Sequence, residues 1–248
     1  MKTTFLKFFT ALSVLAILAT GCDKKEDENP DNNQNATENY KFTDSYGVLA
    51  AIKSISYQNA GGFTIPVEIN TAVAVFPQAA GSSTFASAGT VTINGSSLKK
   101  YENNSYIYDN LISPLNFNTV EWNVSGEGDV PVIQKTVARG FPAFSGYSTL
   151  PETFSLASGL TISLGNAISN ADSVVVLVAG SKNSSIKTVG SGTANVTFTS
   201  TELSAIGTGA AGLISVTPYN YQPETISGRK YYFINESNYT KINVNITQ

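Results

Sequence analysis

Five kinds of stretch in this chain carry residue types that could do chemistry: two Ser-x-x-Lys quartets, one Gly-x-Gly-x-x-Gly run, two acids in a glycine turn, close-set tyrosines, and a single cysteine. The quartets are Ser96-Ser97-Leu98-Lys99 and Ser184-Ser185-Ile186-Lys187. A lysine activates a serine three positions away when one helical turn stacks the two, but on a strand positions i and i+3 face opposite sides. Both quartets adjoin strand-like segments, so they read as chance matches in a Ser-rich chain. The run Gly207-Thr208-Gly209-Ala210-Ala211-Gly212 follows a short helical pattern and precedes the strand-like "LISVTPY". A dinucleotide site needs the reverse order, with the phosphates at a helix N-terminus, and the run therefore reads as a connection. Glu127 and Asp129 in "SGEGDVP" could help hold calcium, but two acids in a glycine turn read as solvated side chains. The chain has no His, which removes the usual general base of hydrolases and the commonest zinc ligand. No catalytic residue, metal or cofactor is expected.

Tyrosines are the remaining candidates for binding. Tyr106 and Tyr108 share one face of a strand-like segment, as do Tyr219 and Tyr221, whereas Tyr231 and Tyr232 point to opposite faces. A ring stacks on the apolar face of a sugar, which makes these pairs candidate glycan contacts, and equally candidates for a cross-strand ladder or an inter-sheet core.

The cysteine, Cys22, closes a distinctive N-terminal pattern. Lys2 and Lys7 precede an apolar run from Phe8 to Ala19, too short for a bilayer core that needs roughly 20 residues, and residues 1–21 therefore read as a signal peptide. Ala19, Thr20 and Gly21 lead into Cys22 in a way that resembles the lipobox of bacterial lipoproteins, with Leu18 one position earlier than that family prefers. The resemblance implies a diacylglyceryl group on the Cys22 thiol and membrane attachment through that lipid. Lys25, Glu26 and Asp27 then resemble the export signal of Bacteroidota surface lipoproteins, which implies an outer-membrane anchor with the protein facing the cell exterior. Residues 22–39 are almost devoid of apolar side chains and read as a flexible acidic, Asn-rich tether with a reach of about 25 Å.

The elements after the tether repeat every two residues. Val120, Trp122 and Val124 alternate with Glu121 and Asn123, as a half-buried strand requires. Asn94-Gly95 lies between apolar residues as a hairpin turn, and Asn103-Asn104 marks a second turn. Asp172 to Gly180 is an unbroken apolar run that fits a central strand, while Ala194, Val196 and Phe198, and later Ile242, Val244 and Ile246, alternate. Only Thr199 to Ile206 suggests a helix, capped by Ser200 or Thr201. Gly, Pro and Ser cluster between Val137 and Pro151. These signals predict an all-β protein of two antiparallel Ig-like β-sandwich domains, residues 40–138 and 140–248, and the whole resembles the tandem-sandwich lipoproteins of Bacteroidota.

Fifteen basic residues less Lys2 and Lys7 leave thirteen against eighteen acidic, a balance that excludes a nucleic-acid partner. The expected function is a non-catalytic, lipid-anchored surface protein acting as an interaction or structural module toward an extracellular glycan or surface protein. The alternatives are a glycan-binding accessory lipoprotein of a polysaccharide-uptake system and a fimbrial subunit, for which Thr240 to Thr247 would be the exchangeable strand.

Overall fold

The computed structural model describes residues 42–60, 63–110 and 113–248. The stretches that the sequence reads as signal peptide and tether, with Cys22, Lys25, Glu26 and Asp27, lie outside them. The described chain is all-β. Its strands are β1 (Ser45–Ala60), β2 (Phe63–Val75), β3 (Val91–Ile93), β4 (Ser96–Ser97), β5 (Lys99–Lys100), β6 (Tyr106–Tyr108), β7 (Glu121–Val124) and β8 (Ile133–Thr136) in the first half. They continue with β9 (Ala143–Phe144), β10 (Thr153–Ser155), β11 (Leu160–Ser163), β12 (Ile168–Ser169), β13 (Ser173–Ala179), β14 (Ser184–Gly190) and β15 (Asn195–Phe198). One turn of helix, α1 (Ser200–Leu203), precedes the two long strands β16 (Gly209–Ile226) and β17 (Arg229–Thr247).

The chain forms two compact units, each assembled from three stretches of sequence. The first takes residues 42–51, 71–138 and 222–234; the second takes 52–70, 139–221 and 235–248. The change at 138/139 falls in the Gly/Pro/Ser cluster, but neither unit is contiguous. β1, β2, β16 and β17 each contribute one part of their length to one unit and the rest to the other.

In the first unit the strands hydrogen-bond in the order β17-β1-β2-β6-β5, and a second sheet runs β4-β3-β7-β8. Trp122 is fully buried and Val120 and Val124 nearly so, while Glu121 and Asn123 face water. Asn94 and Gly95 both adopt positive φ, the two-residue turn that joins β3 to β4, and Asn104 has positive φ at the following turn. Gly47 lies so close to the Tyr231 ring that a Cβ there would sit 2.4 Å from it.

In the second unit the order is β14-β13-β16-β17, with β10 parallel to β17 and the pairs β11–β15 and β9–β12 alongside. β13 is central: it pairs with β14 on one side and β16 on the other, and its apolar run is buried on both faces as the sequence predicts. Val174, Val176, Val178, Val196, Phe198, Ile214, Val216, Val244 and Ile246 join one hydrophobic core. α1 is capped by Thr199, not by Ser200 or Thr201. The Thr199 hydroxyl accepts from the Glu202 N–H while the Glu202 carboxylate accepts from the Thr199 N–H, a reciprocal pair that fixes the helix start one residue earlier.

The alternation expected of Ile242, Val244 and Ile246 is broken. Ile242 is 49% exposed, whereas Val244 and Ile246 are buried. Between them Asn243 adopts φ 60°, which slips the side-chain phase by one residue in the manner of a β-bulge.

Candidate functional site

Of the tyrosines expected to share faces, Tyr106, Tyr108 and Tyr219 lie in the core. Tyr106 and Tyr108 are buried at 1% and 7% exposure, and Tyr219 is fully buried. The Tyr106 hydroxyl accepts from the Ala88 N–H at 2.8 Å and its ring meets Phe76 edge-on; the Tyr108 hydroxyl donates to the Ser113 carbonyl. Tyr221 is half-buried, and its backbone N–H donates to Asp172. None of the first three offers a ring face to a sugar. The inward parity that pairs them on one strand face also places them against the hydrophobic interior. Tyr231 and Tyr232 are buried too. A half-buried pair that periodicity did not single out, Tyr57 and Tyr147, stacks at 4.0 Å between centroids and 33° between planes, so each ring covers one face of the other. Burial, and then Tyr57, push the Tyr147 hydroxyl above its ordinary range.

The acids and quartets resolve into pairs. Glu127 accepts from the Ser87 hydroxyl at 2.5 Å, and Lys100 donates to that hydroxyl at 2.6 Å. The hydroxyl first, and Lys100 after it, hold Glu127 below the usual carboxylate range. Asp129 pairs with Arg229 at 3.4 Å. Among the described residues there is no group of three or more His, Cys, Asp or Glu disposed to hold a metal. Lys99 lies over the Tyr101 ring. Lys187 sits on β14 with its ammonium 2.8 Å from Glu202 and donating to the Thr197 carbonyl, away from any nucleophilic role for Ser184.

A polar node holds the stretch that follows residue 138. Arg139 Nη1 reaches both Asp172 oxygens and its Nε donates to Asn170. Asn170, with φ 55°, donates to the Gly140 carbonyl, and the buried Asn220 donates to the carbonyls of Gly140 and Asn170. Asn235, also fully buried, donates to the Arg139 carbonyl. These bonds tie one loop to β13, β16 and β17 and consume every charge in the node.

The glycine run is used differently. Gly207, with φ 82°, lies against the loop 180–183, and a Cβ on it would sit 2.6 Å from Ser181 Oγ. Lys182 and Asn183 donate backbone N–H groups to the Ile206 carbonyl, and the Ser181 hydroxyl donates to the Thr208 carbonyl at 3.0 Å. Gly180 fits only because it has no side chain: a Cβ would lie 2.4 Å from the Ile206 carbonyl oxygen. Together with α1 and the 156–157 turn, the two loops wall a cleft of 460 Å³. Leu156 and Ala157 give it an apolar wall, Ser181, Ser200, Ser204 and Thr208 line it with hydroxyls, and Lys182 and Gln248 complete it. The other described lysines and arginines each meet a carboxylate, an aromatic face or a hydroxyl. Among them Lys182 alone meets none. Sequence reading passed over Lys182 because nothing in its local pattern distinguishes it from a solvated surface lysine; the Gly207 motif beside it was the available signal.

No family model matches the chain, and neither a curated protein nor a solved structure matches it.

Proposed function

We propose that this chain is a lipid-anchored, non-catalytic cell-surface protein that acts as an interaction or structural module, its two units being sandwich-type modules of Ig-like size. Cys22 after a short apolar run, followed by Lys25, Glu26 and Asp27, supports attachment to the outer membrane with the folded part outside. The observation that carries the modular reading is the disposition of charge: Arg139 and Lys187 in the second unit, and Arg229 and Lys230 in the first, each pair with an acid of their own unit, while a pre-formed cleft in the second unit leaves Lys182 without a carboxylate partner among the described residues. Such a layout suits recognition by fixed polar groups.

A glycan-binding role is the second reading, favoured by the hydroxyls of that cleft and not by the tyrosine pairs. For a fimbrial subunit the exchangeable strand would have to be Thr240 to Thr247, and that stretch buries Val244 and Ile246 in the core and pairs with β10.

Labelling with radioactive palmitate tests the anchor. The wild type should incorporate label and Cys22→Ala should not; equal labelling of both would remove the anchor. Protease added to intact cells tests the display: wild type should be stripped, and a variant with Lys25, Glu26 and Asp27 changed to Ala should be protected.

A further inference from the structure

We infer that the cleft between the loops 180–183 and 206–208 binds a carboxylate-bearing sugar, with Lys182 meeting the carboxylate. The inference rests on the reading of the chain as a binding module and adds the ligand class.

Three features converge on that chemistry. The first is size and rigidity. A volume of 460 Å³ falls within the roughly 300–1,000 Å³ typical of small-ligand sites. The walls are pinned before any ligand arrives by the Lys182 and Asn183 N–H bonds to Ile206 and by the Ser181 bond to Thr208, which lowers the ordering cost of binding.

The second feature is the lining. Ser200 and Thr208 offer hydroxyl donors, Ser181 and Ser204, whose protons go to the Thr208 and Thr201 carbonyls, offer acceptors, a mixture that matches vicinal sugar hydroxyls, and Leu156 with Ala157 offers an apolar wall for the C–H face of a ring. Ser204 donates its own proton to the Thr201 carbonyl at 2.7 Å, which leaves its oxygen lone pairs to accept from a ligand.

The third feature is charge. Lys182 has no carboxylate of a described residue within ion-pair distance, and Glu202, the acid of α1, is occupied by Lys187. Lys182 is an exposed residue on the cleft wall, and an ammonium there without a protein counter-ion favours a ligand that brings one. A neutral sugar would use the hydroxyls and leave Lys182 unpaired; a bare phosphate or acetate would meet Lys182 and leave the hydroxyls and the apolar wall unused.

The test is titration calorimetry on the purified full chain with trimers of galacturonate, glucuronate and mannuronate, and with galactotriose, acetate and inorganic phosphate as controls. At least one uronate trimer should bind at least tenfold more tightly than galactotriose, acetate or phosphate. Lys182→Gln should reduce that affinity about tenfold. Ala205→Trp, which fills the cleft from an exposed position, should abolish it, with both variants unfolding at the parent's urea midpoint. Equal binding of galactotriose and the uronates, blocked by Ala205→Trp, would overturn the acidic assignment while the binding-module reading stands. Binding of no sugar, binding untouched by Ala205→Trp, or full displacement by phosphate would overturn the site itself, and the palmitate and protease experiments would still decide the anchored module independently.

Discussion

Arg139 and Asp172 are joined through a single guanidinium nitrogen, Nη1, which donates to both carboxylate oxygens at 2.8 and 2.6 Å. The two side chains are about 30% exposed, at 30% and 31%, so water screens the pair only in part. Each partner also holds backbone: Asp172 accepts from the Tyr221 N–H, and the Arg139 carbonyl accepts from Asn235. Arg139→Ala should cost about 1–2 kcal/mol, below the upper range of charge-assisted bonds because of that screening. Urea unfolding of Arg139→Ala, Asp172→Asn and the double variant should give a favourable coupling between the two. Additive losses would mean that the pair contributes nothing beyond its separate backbone contacts.

Two glycines separate packing from turn flexibility. Gly180→Ala drives a Cβ to within 2.4 Å of the Ile206 carbonyl oxygen and 2.5 Å of that of Gly207, backbone atoms that cannot swing aside. A loss of about 1–3 kcal/mol is expected. Gly192 has nothing within 4 Å and does not adopt positive φ; Gly192→Ala should instead stabilise by about 0.4–1 kcal/mol, through the unfolded chain. Chemical denaturation of both variants reads the contrast, and similar midpoints would contradict the geometry at Gly180.

The acid limb of stability should involve Asp44. The Lys230 ammonium, which donates to Asp44 at 2.7 Å, outweighs the opposing effect of burial and, with the Tyr232 hydroxyl at 2.8 Å as a lesser aid, holds this carboxyl below its ordinary value. A carboxyl whose folded pKa lies below its unfolded one stabilises the fold above the unfolded value and loses that contribution as pH falls through the folded one. Asp44→Asn should therefore be less stable than the parent at pH 7, and the gap should close below about pH 4. Glu202, lowered by Lys187 first and by the Thr199 cap, should behave in the same way. Urea midpoints measured from pH 7 to pH 2 provide the check; a gap that stays constant across that range would rule out the linkage.

Cutting the chain at the 138/139 junction should not yield two folded halves. The first unit needs residues 222–234, which bring the fully buried Tyr231 and Phe233 and the Lys230 partner of Asp44. The second needs residues 52–70, including Ile55 and Tyr57, which pack on its core. Fragments 40–138 and 139–248 should each lack a cooperative thermal transition alone and regain one when mixed or co-expressed. A sharp transition in either isolated fragment would contradict the interleaved assembly.

Local signals carried much of the fold. The alternation around Trp122 predicted an inward face that is fully dry, the Asn94-Gly95 turn took the left-handed conformations both residues tolerate, and the run containing Val176 is the doubly covered central strand. What escaped was non-local or one residue wide. The slip at Asn243 has no periodic signature, since Ile242 and Val244 look like equivalent members of one stripe until the backbone turns left-handed between them. The discontinuous units are equally silent, because strand pairing depends on partners more than a hundred positions apart and leaves no mark on either segment. At the site level, parity grouped Tyr106 with Tyr108 but does not say whether the shared face is wet, and Lys182 became distinctive only once every other lysine and arginine among the described residues had found its partner.

The long C-terminal strand also sets a clock. β17 supplies residues up to Ile234 to one unit and from Asn235 onward to the other, so a ribosome that has made the first two hundred residues has completed neither. An N-terminal module that closes early, the usual order in tandem-domain chains, is not open to this one. Both units wait for the same hairpin, and neither is complete before β17 has begun to emerge.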